Sequence, residues 1–150
     1  AKSIHHGAAL HPHRLKDQQA NQQRQGNGHQ YLSQSVLRVC DYIHEHYTES
    51  VTEPALADLV HLSVPYMHKR FVREMGIPPI RYLNQYRIQC AQRLLLEENL
   101  TVTKVAEATG FIDPNYFCCV FQRFSGGLSP TEYRKRNLLH TDPPQGEEIP

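Results

Sequence analysis

The sequence predicts an all-α protein in which one long central helix joins two similar helix-turn-helix units. Three observations predict it. Apolar residues recur at helical spacing from residue 32 to about residue 137. A stretch over 78–96 has no Gly or Pro after its first two residues. The pattern that precedes this stretch returns about 50 residues later.

In the central stretch Pro78 and Pro79 can occupy the first helical turn, where a missing backbone N–H costs nothing. Leu83, Tyr86 or Arg87, Cys90 and Leu94 are expected to share its buried face. A helix of this size is about 28 Å long, close to the roughly 34 Å between successive major-groove openings on one side of a DNA duplex. That match matters only if both flanking units meet DNA.

The chain has 150 residues, 39% of them hydrophobic, enough for one ordinary domain or two very small ones. Residues 31–137 hold 12 Lys and Arg against 11 Asp and Glu, so a DNA-binding face has to be local. Residues 1–30 are rich in His, Gln, Asn and Gly and are expected to be a flexible linker or arm. Their His5-His6 and His11-Pro12-His13 lack cysteines or carboxylates at ligand spacing, so no metal or other cofactor is expected. The first residues show no apolar secretory core and no run reaches membrane length, so a cytoplasmic protein with no membrane contact is expected. Cys40, Cys90, Cys118 and Cys119 show no C-x-x-C spacing and lie in apolar helical patterns, which predicts buried free thiols.

Leu32, Val36, Val39 or Cys40, Ile43 and Tyr47 predict a first helix over about 32–47, with His44 and His46 on or near its polar side. Thr52 caps a short helix with Pro54 in its first turn, and Leu56, Ala57, Leu59 and Val60 face inward. His61-Leu62-Ser63 breaks it. Ser63 caps the next helix, 64–75, in which Met67 and Phe71 point to the core and Gly76 terminates. A short helix, a three-residue break and a second helix crossing at a small residue, Ala57, form a helix-turn-helix arrangement. Its second helix carries Tyr66, His68, Lys69, Arg70 and Arg73 with no acid before Glu74, a stripe equally readable as a solvated face or a nucleic-acid contact.

After Glu97-Glu98-Asn99-Leu100 the unit repeats. Thr101 or Thr103 caps, Val102, Val105 and Ala106 face inward, Thr109-Gly110-Phe111 turns, and a helix follows from about Asp113 to Phe124, with Asp113 as cap and Pro114 opening it. Ala57 matches Ala106 at a separation of 49, Phe71 matches Phe121 at 50 and Pro79 matches Pro130 at 51, so the second copy is one residue longer in its turn and again at Gly126-Gly127. A last helix, Pro130 to about Asn137, ends in Arg134-Lys135-Arg136 before a Pro- and acid-containing tail. The units fall over 31–77 and 98–137, with a connecting helix over 78–97 and a flexible tail over 138–150.

Over residues 32–137 the chain resembles the DNA-binding domain of the AraC/XylS family of bacterial transcription regulators. The strongest match is Thr103-Lys104-Val105-Ala106-Glu107-Ala108-Thr109-Gly110-Phe111-Ile112-Asp113-Pro114-Asn115-Tyr116-Phe117, followed by Val120-Phe121-Gln122-Arg123-Phe124 and Leu128-Ser129-Pro130-Thr131-Glu132-Tyr133-Arg134. The resemblance implies seven helices, with two recognition helices entering neighbouring major grooves. It places base-reading positions on Pro65, Tyr66, His68 and Lys69, and on Pro114, Asn115, Tyr116 and Cys119. With the caps Ser63 and Asp113 and the cations Arg70, Arg73 and Arg123, these are the expected DNA-facing residues. Where the family often has Ser-Arg this chain has Cys118-Cys119, which removes one cation. The implied function is sequence-specific, activating regulation on double-stranded DNA beside RNA polymerase, with an effector-binding or dimerisation domain expected outside this chain. Two alternatives are a cysteine-based redox or Ada-like repair protein, and an interaction module that no longer touches DNA. No His and acid lie at a recognisable spacing to activate Cys118 or Cys119.

Overall fold

Every helix but the central one starts where a short polar side chain takes a backbone N–H that the first turn leaves unpaired. In the computed structural model, which describes residues 31–97 and 99–140 without the side chains of 139 and 140, Ser33 does so for α1 (Gln34–His46) by accepting from the Val36 amide. Thr52 opens α2 (Glu53–Leu59) and Ser63 opens α3 (Val64–Met75), each followed by Pro in the first turn. The central helix α4 spans Pro79–Glu97. Thr101, not Thr103, caps α5 (Val102–Ala108), and Asp113 caps α6 (Pro114–Phe124). The last helix, α7, runs over Pro130–His140, three residues past the expected end. There are seven helices and no strand among the described residues, as the sequence predicts. None of these helices is long and apolar enough to cross a membrane, and no described cluster of His, Cys, Asp and Glu could hold a metal ion. The expectations for 1–30 and 141–150 lie outside the described residues.

The two units build separate cores on one helix. Val36, Val39, Ile43, Leu56, Met67 and Phe71 pack with Tyr82, Leu83, Tyr86 and Cys90 of α4. Ile88, Ala91, Leu94 and Leu95 of the same helix pack with Val105, Ala106, Phe111, Phe117, Val120 and Phe121. Leu83, Tyr86, Arg87, Cys90 and Leu94 are all buried, as expected of that face, and burial extends beyond it to a second face that carries Ile88, Ala91 and Leu95, with Asn84 also buried. Arg134 of α7 ties the far end, donating from Nε to the Leu95 carbonyl at 2.9 Å and from Nη2 to that of Leu100. The first bond occupies a carbonyl in the last turn of α4, which has no later turn to accept from, and the second holds the loop that follows it.

Two expectations are corrected. His44 is buried rather than on the polar side, sharing a 2.8 Å hydrogen bond between Nε2 and the Tyr82 hydroxyl and lying 4.5 Å, ring to ring, from Tyr86. Cys40 and Cys90 are buried as expected, but Cys118 is half-buried and Cys119 is exposed. Residue 119 lies two positions from Phe117 and Phe121, and two helical steps turn about 200°, so it faces away from the core they enter.

Candidate nucleic-acid interface

The twin units put their second helices, α3 and α6, on the surface with one buried edge each. In α3 Met67 and Phe71 are buried, leaving Pro65, Tyr66, Lys69 and Arg73 exposed along one ridge. In α6 Phe117, Val120 and Phe121 are buried, leaving Pro114, Asn115, Tyr116, Cys119 and Arg123 exposed. A shift of 50 residues superposes Tyr66 on Tyr116, Lys69 on Cys119 and Arg73 on Arg123. The two tyrosines are 51% and 50% exposed, so the repeat extends from the core to the outer surface.

The N-terminal ends of both helices are built alike. The Ser63 hydroxyl accepts from the Tyr66 amide at 3.4 Å, and Asp113 Oδ1 accepts from the Asn115 amide at 3.0 Å. Both caps are exposed; the neutral Ser63 leaves a positive helix end suited to a phosphate, whereas the Asp113 carboxylate places an anion at the start of α6. Pro65 and Pro114 fix the first turns without requiring an N–H partner there.

The expected cations differ in availability. Lys69 and Arg73 are exposed. Arg70 is half-buried, donates from Nε to Glu74 Oε2 at 3.2 Å and lies 6.0 Å from the Tyr66 ring centroid. Glu74 also accepts from the Ser33 amide and hydroxyl at 2.6 and 2.9 Å, so Arg70 belongs to a network that anchors α1 to α3. His68 is half-buried, with Nδ1 2.7 Å from Glu53 Oε1 of α2. The outward stripe of α3 is accordingly Tyr66, Lys69 and Arg73, with His68 at its margin and Arg70 at its inner edge.

On α6 the Tyr116 hydroxyl accepts from Asn84 Nδ2 of α4 at 3.1 Å, which fixes the ring against the central helix. Asn115 offers an amide donor and acceptor, Cys119 a thiol and Arg123 the helix's one cation. Two exposed residues were not singled out from the sequence. Gln122 follows Asn115 and Cys119 at helical spacing, a signal that could have found it. Ile112, the extra residue of the second turn, is 94% exposed directly before the Asp113 cap.

A family model described as a helix-turn-helix domain matches residues 56–136. The transcriptional activator RhaS of Escherichia fergusonii is 36% identical over 94 residues, covering 63% of this chain and 34% of its own length. The bifunctional transcriptional activator and DNA repair enzyme AdaA of Bacillus subtilis is 30% identical over 107 residues, covering 71% of this chain and 50% of AdaA. Among solved structures, the DNA-binding domain of AdpA, a global transcriptional factor in complex with a target DNA, is 31% identical with a TM-score of 0.68, covering 76% of this chain and 100% of that one. The chain spans about a third of the length of RhaS.

Proposed function

Since the chain belongs to the AraC/XylS family of DNA-binding transcription regulators, we propose that it reads double-stranded DNA with α3 and α6 in neighbouring major grooves. The observation that carries this is the repeat of an exposed Tyr and an exposed Arg at equal positions on both helices, Tyr66 with Arg73 and Tyr116 with Arg123, each preceded by an exposed N-cap. Neither arginine enters a core, and each tyrosine leaves about half its surface exposed, whereas a duplex offers phosphates to the cations and to the Ser63 cap and base or sugar edges to the tyrosines.

Lys69 reaches a base edge or a phosphate from α3, and Asn115 presents its paired donor and acceptor to adenine from α6. Cys119 packs against a thymine methyl, because a neutral thiol donates weakly. Pro65 and Pro114 set the first turns, His68 and Arg70 flank the contact, and Ser63 and Asp113 shape the helix ends. With more cations on its outer face, α3 reads more strongly than α6. The role is regulatory and not enzymatic. Activation beside RNA polymerase, an effector-binding or dimerisation domain elsewhere in the protein, and a cytoplasmic setting belong to the same proposal.

The test is a titration of duplex fragments at several salt concentrations. Contacts from Lys69, Arg73 and Arg123 to phosphates give a slope of log affinity on log salt of roughly −2.7. Binding that is absent at 50 mM salt, or that shows no salt dependence, would overturn the reading in favour of a protein-interaction module.

A further inference from the structure

The two turns of the repeat differ in a way their own geometry does not require. Each turn has one residue in the left-handed region at corresponding places, His61 at φ 57° and Gly110 at φ 89°. The flanking bonds are the same: the Leu62 amide donates to the Ala57 carbonyl at 3.0 Å and the Phe111 amide to the Ala106 carbonyl at 2.9 Å. The first turn holds that conformation with a full side chain, exposed to solvent. In the second a Cβ at Gly110 would lie 2.4 Å from the backbone oxygen of Tyr47 and 3.0 Å from Arg87 Nε. Glycine is needed at 110 because another part of the fold occupies the space a side chain would take.

That neighbour belongs to the other unit. Tyr47 ends α1, and its carbonyl accepts from Arg87 Nε at 2.7 Å while the Glu49 carbonyl accepts from Arg87 Nη2 at 2.8 Å. The same guanidinium lies 5.4 Å from the Phe111 ring centroid of the second unit. Arg87 thus joins the end of α1 to the second turn from a buried position on α4.

We infer that Arg87 and Gly110 form a docking joint that holds the two reading heads in one orientation, and that Arg87 is a positioning residue for two-site recognition. The inference rests on the proposed reading of DNA by both helices. Two linked heads gain from each other only in so far as both can engage at once, and a fixed orientation concentrates that gain on one spacing of half-sites. Removing the joint leaves each recognition helix on its own core and both cores on the continuous α4, but takes away the contact that ties the end of α1 to the second turn and so loosens the angle between them.

Two arms test this on the full chain. Residual dipolar couplings of the DNA-free protein are expected to fit one alignment tensor across residues 34–136 in the native chain and to need two in Arg87→Met and Gly110→Asn. Asparagine tolerates the left-handed region, so its effect arises from the side chain meeting Tyr47. His61→Asn, in the twin turn, is expected to keep a single tensor. Arg87→Lys is the milder variant should Arg87→Met fail to fold.

In the second arm, duplexes carrying a site selected by the native chain from a random duplex pool, with 0, 1 or 2 base pairs added or removed between half-sites, are titrated. The native chain shows a sharp optimum. The variants lose roughly tenfold at that optimum and flatten the profile, with affinity for an isolated half-site unchanged. A single tensor in both joint variants, or a uniform loss at every spacing and on the half-site, would overturn the inference. Absence of any duplex binding, with two tensors in the variants, would leave the joint standing and refute only the reading of DNA.

Discussion

Replacing Cys119 by arginine adds a cation at the one position where the two recognition ridges differ most. Residue 119 is exposed, and its counterpart in the first unit is Lys69. No acid occurs between Pro114 and Phe124 to capture the new guanidinium, in contrast to Arg70, which is held by Glu74. Arginine is also the better helix former, so the substitution should stay within about 0.5 kcal/mol of the parent in stability. One added phosphate contact steepens the salt slope by roughly 0.9, so the gain shrinks about 3.5-fold between 50 and 200 mM salt. At the low-salt end a gain of about 1 kcal/mol, roughly fivefold in affinity, is expected for a solvent-exposed charge pair. Fluorescence anisotropy on a labelled duplex reads both quantities, and a thermal melt controls for folding. Lower affinity or an unchanged slope at preserved Tm would mean that residue 119 misses the duplex and that α6 is misplaced in this account.

Lys69→Ala is expected to weaken specific binding by roughly 1–3 kcal/mol if the amine meets a base edge; Arg70→Ala should cost less on DNA, because that guanidinium is committed to Glu74, and equal losses in the same titration would contradict this assignment. A small thiol reagent followed by mass spectrometry should label Cys119 first and Cys118 more slowly, reaching Cys40 and Cys90 only on unfolding; early labelling of either buried thiol would refute their placement. Stability should fall at alkaline pH. Burial pushes the Cys40 and Cys90 thiols from 9.0 up to about 12, so in that window the unfolded chain loses protons that the folded chain keeps. The contribution is complete below about pH 9 and is lost above it at about 1.4 kcal/mol per pH unit for each thiol, which denaturant titrations at pH 8 and 10 can measure. No change across that range would place both thiols in contact with solvent.

The helices and their order were legible because caps, prolines and apolar spacing agree: Thr52, Ser63 and Asp113 each cap the helix that the pattern assigns to them. The repeat was legible down to its inserted residues, since Ile112 and the Gly126-Gly127 pair lie in loops that accept an extra position. What the sequence hid depends on contacts between segments far apart in the chain. Periodicity placed His44 near a polar face, but the hydroxyl of Tyr82, 38 residues away, gives it a buried partner. The face assigned to α4 is buried, but its second buried face was missed because the helix serves two cores, which makes its apolar pattern nearly continuous around the axis. Periodicity left Tyr86 and Arg87 as alternatives on one face of α4; that both are buried depends on the carbonyls of Tyr47 and Glu49, which accept from the Arg87 guanidinium. On the outer ridges, charge alone grouped Arg70 with Lys69 and Arg73. The Arg70–Glu74 spacing of four residues is the feature that separates it from them.

Selection of bound sequences from a random duplex pool, followed by a half-turn insertion in the selected site, tests the central claim most directly. Tandem heads on one chain predict an asymmetric site of nearly two helical turns, bound by a monomer. Inserting about 5 base pairs between its halves turns one half to the opposite face of the duplex and should abolish joint binding. A palindromic site occupied by a dimer, or an affinity indifferent to the insertion, would contradict the account.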